Sequence, residues 1–419
     1  MAEEKKMDAL QGPDHKRLGR ELDLFVFSDL VGPGLPLWTP RGTLVRDLLD
    51  DFVWELRRKR GFTKVQIPHI TKKELYETSG HWDKFEDDLF RITTREGHEF
   101  AMKPMNCPHH IQIFARRPHS YREMPQRYCE TTMMYRDEQS GELNGLSRVR
   151  AITIDDAHVF CRDTQVHSEF LKMWDIIEEF YTMFGFELKI RLSFHDPQNA
   201  DNYLGDKTRW IAAEKTLNDI AKEKGVETSL GIGEAAFYGP KVDFIAKDSL
   251  GRDWQVATIQ LDMNMPERFD LTCINEKGEK ERVVMVHSAV MGSIERFLSV
   301  ILEHFEGKLP VWLSPVQAKI IPISEKHLDY AQSIMKELGD AGIRIEVDDS
   351  NETLGKKIRN AKTEKIPYLV VVGDAEVAAK TATLEGRATL RIPQGEKFGS
   401  LAISDIIHRL KEEIRTRAM

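Results

Sequence analysis

Apolar residues stand at 44, 45, 48, 49, 52, 53 and 56 in "TLVRDLLDDFVWELRRKRGF", with charged residues between them. That spacing predicts a helix with one buried stripe. Gly61 ends it, and "TKVQIPHI" predicts a strand reaching Pro68. "EFAMKPM" and "MMYRDE" read as strand ends, and "HSEFLKMWDIIEEFYTMFGF" as a second amphipathic helix. Three apolar or alternating runs follow, "KVDFIAKD", "DWQVATIQLD" and "RVVMVHSAV", separated by turn sequences such as "DSLGRD" and "NEKGEK". Successive strands joined by short turns predict an antiparallel sheet. "MGSIERFLSVILEHF" closes this part as a helix.

The pattern changes at "GKLPVWLSPVQ", where Pro310 and Pro315 mark a linker. Beyond it come strand "AKIIPI", helix 325–341, strand "RIEVDD", a helix from about 354 and strand "PYLVVVGD". Strand and helix in alternation predict a small α/β domain with a mostly parallel sheet, closed by the helix "SDIIHRLKEEIRTRAM". The expected division is an α+β domain over 1–310 and a smaller α/β domain over 311–419.

Composition narrows the class. With 419 residues, 41% hydrophobic and 31% charged, the chain can bury a large core and reads as globular. No apolar run approaches the ~18 residues of a membrane span, and the N-terminus lacks an apolar secretory core. Cys107, Cys129, Cys161 and Cys273 are scattered, which predicts a reducing, cytoplasmic setting and no disulfide framework. A net charge of −8 argues against nonspecific coating of nucleic acid. The acidic excess lies before residue 311, and the rest is nearly neutral.

Two segments carry candidate chemistry. In "KPMNCPHH", Cys107 precedes His109 and His110. These three are poorly shaped to hold one ion, because adjacent side chains diverge and Pro108 stiffens the backbone. Any metal on Cys107 needs partners from elsewhere. In "YRDEQSGELNGLSRVR", Arg136 and Glu138 end a strand, and Arg148 and Arg150 begin the next. Guanidinium forks on both arms could clamp a polyphosphate; taken alone, the segment is better read as a solvated hairpin with surface ion pairs. Arg296 in "GSIERF" starts an apolar helix, beside the small residues Gly292 and Ser293.

Together these motifs resemble class II aminoacyl-tRNA synthetases. Arg136-x-Glu138 with its loop resembles motif 2, "GSIERF" motif 3, and the helix–strand–Pro68 unit motif 1, the dimer-forming element of that class. "MKPMNCPHH", "DDAHVF", "AFYGPKVDF" and "VMVHSAVMGSIERF" are similar to threonyl-tRNA synthetases, from about His15 to the C-terminus. The resemblance implies ATP-dependent ligation of L-threonine to threonine tRNA through a threonyl-adenylate. It implies a class II catalytic domain, an anticodon-binding domain, and a homodimer through residues 43–70.

It also implies the site residues. Cys107, His158 and His287 correspond to zinc ligands, and three ligands leave Zn²⁺ open to substrate. The metal then selects threonine over valine through the hydroxyl. Asp156, Tyr238 and Gln260 correspond to threonine contacts. Arg136 corresponds to the residue touching both the α-phosphate and the threonine carboxylate. Glu138, Arg148, Gln255 and Arg296 correspond to ATP contacts, with Mg²⁺ assisting. His81 in "SGHWDKF" matches a histidine proposed to move a proton during transfer to tRNA.

Asn351, Glu376 and, in a shifted register near 378–388, Arg391 match anticodon-reading positions. Taken without the resemblance, Asn351 reads as a helix cap. Ile152, Ile154 and Ser288 depart from residues common in relatives and bear on nucleotide affinity. Family members usually carry N-terminal domains, one of which hydrolyses misattached serine. Residues 1–20 leave no room for them, so no editing region is expected. The alternative reading is a catalytically inactive, synthetase-like binding protein, which would be expected to lose motif arginines or metal ligands.

Overall fold

The structure is a computed structural model and describes residues 12–388 and 395–418. These fall into two compact units. The larger holds Phe27–Pro36 and Asp50–Leu298; the smaller holds the described residues up to Val26, Leu37–Leu49, and those from Ser299 onward.

Eight strands build the main sheet of the larger unit: β1 (Thr63–Lys64), β2 (Gln126–Tyr135), β3 (Ala151–Cys161), β4 (Leu188–Phe194), β5 (Thr228–Ile232), β6 (Lys241–Lys247), β7 (Asp253–Asp262) and β8 (Val284–Ser293). They lie in the order β5-β4-β6-β7-β8-β3-β2-β1. The five inner pairings are antiparallel, including those among β6, β7 and β8 that the turn-separated runs predict, and the two outermost are parallel. β1 is shorter than expected. Past Val65, the Ile67 N–H turns to the Glu130 side chain at 3.2 Å, and Pro68 has no N–H to give. The chain then starts a separate three-stranded sheet at Ile70–Lys72.

Alternation along β3 sets the two faces of the sheet. Its odd positions, such as Asp155, Ala157 and Val159, are buried against helices. These include the second half of α2 (Pro40–Lys59); α1 is His15–Glu21, and α3, described below, is Cys107–Ala115. Behind the sheet also lies α4 (Val166–Thr182), whose Phe180 stacks on Phe52 of α2 at 5.3 Å. Trp174 of α4 meets Phe244 of β6 at 4.9 Å. α5 (Lys207–Glu223) completes the unit's long helices, and α6 (Ile294–His304) begins in it. The even positions of β3 face a cleft. Ile152, Ile154 and Asp156 are half-buried there, and His158 and Phe160 are covered.

β8 is irregular between Ala289 and Ser293. The Asp155 carboxylate accepts the Val290 and Met291 N–H groups at 2.8 and 2.9 Å, and Gly292 takes φ +66°. This bulge pins the strand just before α6.

The smaller unit contains β9 (Ala318–Pro322), β10 (Ile345–Val347), β11 (Tyr368–Val372), β12 (Thr381–Gly386) and β13 (Glu396–Ala402), ordered β10-β9-β11-β12-β13. The parallel half is as the sequence predicts. β12 and β13 add an antiparallel hairpin that the apolar pattern does not announce, so the sheet is mixed. Its core gathers Ile320, Val370 and Leu384 with residues of α7 (Leu328–Asp340) and α9 (Ile403–Thr416); α8 (Leu354–Thr363) packs on the other side through Ala361. The linker is no exposed tether, because Val311–Leu313 form a buried 3-10 turn. Among the described residues, no helix is long and apolar enough to cross a membrane.

Candidate active site

Strand register assembles the floor of the cleft. Lys241, Gln260, His287, His158 and Tyr128 are directly opposed across β6, β7, β8, β3 and β2. The next row of that face is Asp243, Thr258, Ala289, Asp156 and Glu130. Directly opposed residues share a face, so segments more than 150 residues apart in sequence meet in two adjacent rows.

Cys107 joins them from above. It begins α3 rather than lying on a strand. Its Sγ and one nitrogen each of His158 and His287 lie within 4.8 Å of one another, all on buried residues. The spare nitrogens are committed elsewhere. His287 Nε2 meets Asp262 Oδ2 at 2.9 Å, and His158 Nδ1 meets His110 Nδ1 at 2.7 Å. Asp262 is itself fixed by the Asn264 and Met265 N–H groups. Burial, with Asp156 and Asp262 nearby, pushes the Cys107 thiol well up, and burial pushes His158 well down. One cysteine and two histidines, each imidazole held by a second contact, fit a Zn²⁺ site with one position open.

Asp156 faces the triad from the neighbouring row. Its Oδ2 accepts from Asn106 Nδ2 at 3.1 Å, and its Oδ1 lies 3.6 Å from His158 Nε2. Tyr238 stacks on His287 at 4.9 Å and donates its hydroxyl to Gln260 Oε1 at 2.5 Å. His81 is buried, with Nδ1 2.8 Å from Ser79 Oγ and Nε2 3.8 Å from Cys107 Sγ. Burial, then His287 and Arg136, pushes it down to about 3.

Three arginines converge at the end of the cleft. Alternation along β2 carries Arg136 onto the cleft face, and its N–H still bonds Arg150 O at 3.0 Å. The guanidinium lies over Phe85 at 5.1 Å and gives Nη2 to Met105 Sδ at 3.3 Å. Its buried Nε has no hydrogen-bond partner among the described residues. Burial lowers its pKa, and Arg296 adds to that. Arg296 donates Nε to Ser147 O at 3.1 Å and feels Arg148 in turn. Arg148 pairs with Glu138 at 2.6 Å and with Glu142 at 3.1 Å. Such like charges in one place suit a polyphosphate.

The family profile for the "tRNA synthetase class II core domain (G, H, P, S and T)" matches residues 90–305, and that for an "Anticodon binding domain" matches 317–413. The chain is 44% identical over 417 residues to the threonine–tRNA ligase of Synechococcus elongatus, covering 98% of itself and 68% of that protein. The chain belongs to the threonine–tRNA ligase family of class II synthetases. It is 46% identical over 404 residues to the ligase of Cytophaga hutchinsonii, covering 96% of itself and 62% of that relative. The chain therefore spans about three fifths of the length of several such relatives. A solved structure of the RNA-binding domain of threonyl-tRNA synthetase from Cryptosporidium parvum superposes with a TM-score of 0.89 at 38% identity. It covers 95% of this chain and 98% of that one.

Against this family, the remaining expected residues fall as follows. Gln255 is turned to the cleft face by a bulge at Val256 and held by Asp243 at 2.8 Å and Arg191 at 2.9 Å. It sits at the outer end of β7, away from the rows that carry the metal candidates. Ile152 and Ile154 line the floor, whereas Ser288 faces the helices, where its carbonyl accepts from Arg57 at 3.4 Å. In the smaller unit, Asn351 and Glu376 follow the carboxyl ends of the parallel strands β10 and β11, so both lie at one edge. Asn351 is exposed and is not the cap of α8; Thr353 holds that position. Glu376 bonds Gly373 N at 3.0 Å and Thr383 Oγ1 at 2.9 Å. Arg391 lies outside the described residues.

Three residues of this neighbourhood, Asp262, Lys103 and Asp243, escape a reading of the sequence, and the role of a fourth, His110, does. Asp262 and His110 bond the metal-candidate histidines. Lys103 is fully buried and gives Nζ to Thr132 at 2.9 Å, with burial pushing it down to about 8. Asp243 gathers Ser193, Lys241, Arg191 and Gln255. Only His110 has a sequence signal, because it stands one helical turn after Cys107.

Proposed function

We propose that this chain catalyses ATP-dependent ligation of L-threonine to threonine tRNA through a threonyl-adenylate. Residues 1–310 serve as the catalytic domain and 311–419 as the anticodon-binding domain. The enzyme acts in the cytoplasm, where its free thiols stay reduced, and pairs as a homodimer through 43–70. The observation that carries the reading is the buried Cys107, His158 and His287 set on the same cleft face as Arg136.

Cys107, His158 and His287 would hold zinc, which would supply a Lewis acid with room for the α-amine and β-hydroxyl of threonine. Asp156 accepts a hydrogen bond from the hydroxyl, and Tyr238 and Gln260 bound the amine side. In the first step the threonine carboxylate oxygen attacks the α-phosphorus of ATP, and the bond to pyrophosphate breaks. Arg136 meets the α-phosphate and the carboxylate. Its Nε, without a hydrogen-bond partner among the described residues, supports that role. Arg148 and Arg296 hold the outer phosphates with Mg²⁺. Groups aimed at oxygens where charge develops act strongly in a shielded site; removing one oxyanion donor typically costs about 3–4 kcal/mol. Glu138 lets go of Arg148 to face the adenine amine, and Gln255 contacts the nucleotide. In the second step a hydroxyl of the terminal ribose attacks the threonyl carbonyl, AMP leaves, and His81 moves the hydroxyl proton. Asn351, Glu376 and Arg391 read the anticodon.

The test is ATP–pyrophosphate exchange with threonine, serine, valine and proline in turn. Threonine-dependent exchange is expected. Proline-dependent exchange, or none with any of the four, would sink the proposal.

A further inference from the structure

The histidine pair that follows Cys107 is not used by the reaction just described. His110 is fully buried on α3, one turn beyond Cys107. Its ring stands perpendicular to that of His158, with centroids 4.7 Å apart and the two Nδ1 atoms at 2.7 Å. The far nitrogen of each ring has a different outlook. His158 Nε2 points to the cleft, 3.6 Å from Asp156 Oδ1. Among the described residues, His110 Nε2 is buried without a hydrogen-bond partner, and so is Glu130 Oε2, 3.9 Å away. Glu130 is anchored by its other oxygen, which accepts the Ile67 N–H at 3.2 Å.

Two imidazoles joined through one nitrogen each must share one proton. If His110 donates, the His158 proton sits on Nε2 and the ring has no lone pair for a metal there. If His158 donates, its Nε2 lone pair is free, and His110 carries its own proton on Nε2. Two carboxylates pull in opposite directions: Asp156, 3.6 Å from His158 Nε2, attracts a proton there, and Glu130 attracts one on His110 Nε2. A cation held by His158 Nε2 would displace the first proton and leave the arrangement that Glu130 favours. A separation of 3.9 Å is too long for a hydrogen bond, but not for that attraction. We propose that His110, oriented by Glu130, is a positioning residue that holds the proton of His158 on Nδ1 and so presents Nε2 as a metal ligand. His287 reaches the same end by a carboxylate contact from Asp262. The two metal-candidate histidines are thus set by different acceptors, one charged and one neutral. Partners of this kind orient the ring and raise its basicity as a ligand.

The inference rests on the zinc site of the proposed function, and the experiment separates the two. The purified chain is stripped of metal, and its zinc affinity is measured by competition with a chromophoric chelator. No zinc binding by the parent chain would overturn the metal site and this inference with it. With a zinc-binding parent, His110→Phe is expected to weaken affinity about 10–100-fold. His110→Asn, which puts a carbonyl oxygen near the position of Nδ1, restores most of it. His110→Phe binding zinc as tightly as the parent would overturn the role of His110 and leave the site standing. A second measurement needs no variant. In zinc-loaded parent chain with ¹⁵N-labelled histidine rings, His158 is expected to carry its proton on Nδ1 and metal on Nε2. The reverse assignment would overturn the proposal.

Discussion

Asp155 and Asp156 are neighbours in β3 and point to opposite faces of its sheet. Asp155 faces the helices, where Arg57 Nη2 of α2 meets its carboxylate at 3.0 Å and its backbone carbonyl at 2.7 Å. Asp156 faces the cleft. Arg57 also reaches the carbonyls of Asp156 and Ser288, both at 3.4 Å. One buried guanidinium therefore ties the α2 helix to the two strands that carry His158 and His287.

The two aspartates should separate stability from chemistry. Asp155→Ala leaves Arg57 buried without its partner and frees the Val290–Met291 bulge. Breaking such a pair costs about 3–5 kcal/mol, to be read from denaturant unfolding. Asp156→Asn keeps the shape and should leave the unfolding midpoint nearly unchanged while lowering threonine activation. Equal loss of stability in both would contradict the assignment of faces.

Metal removal gives a second contrast. The chain should bind zinc stoichiometrically, and Cys107→Ala should abolish threonine activation with only a modest loss of stability. Cys107 is one of 12 buried residues in a cluster that includes Ile111, Phe114, Phe160 and Met285, which persists without the thiol. Elemental analysis finding freshly purified, active protein free of zinc would refute this.

The two domains should fail differently. Arg296→Ala removes a cation aimed at phosphate and should lower pyrophosphate exchange about 10²–10³-fold. Asn351→Ala lies in the smaller unit and should leave exchange unchanged while weakening tRNA charging. Equal loss of exchange in both variants would defeat this division of labour.

What the sequence discloses follows the range of the interactions. The amphipathic stripes of α2 and α4 and the run of strands β6, β7 and β8 are visible because their apolar period is local. The hairpin β12–β13 is not, because "TATLEG" and "EKFGSLA" carry too few apolar positions to mark a face. The shortness of β1 depends on a side chain 63 residues away, Glu130. Cys107, His158 and His287 are legible only through the resemblance; their spacing alone does not unite them, since strand register joins the two histidines and a helix start brings in the cysteine. The same is true of Asp262, which bonds His287 across 25 residues with no motif linking them. Arg136 shows the opposite case: a guanidinium ending a strand at "YRDE" is conspicuous, and the strand's alternation alone turns it to the cleft.

The last prediction concerns selectivity in the activation step. Serine should support ATP–pyrophosphate exchange measurably, and valine almost none. Serine keeps the amine and the hydroxyl, so it can still satisfy Asp156 and the open positions of the metal. It lacks one methyl group, which is worth about 1–3 kcal/mol, or roughly 10–200-fold. Valine keeps the volume and loses the hydroxyl. Asp156 then keeps its bond from Asn106 on one oxygen, while its other oxygen meets a methyl group in place of a hydroxyl. Sites built around a required hydrogen bond reject the analogue lacking it by about 10⁴–10⁵. Asp156→Ala should narrow the gap between threonine and valine mainly by lowering kcat/KM for threonine. Comparing kcat/KM for the three amino acids in parent and variant decides it. Serine rejected as completely as valine would mean that the methyl group of threonine, and not its hydroxyl, dominates recognition in this cleft.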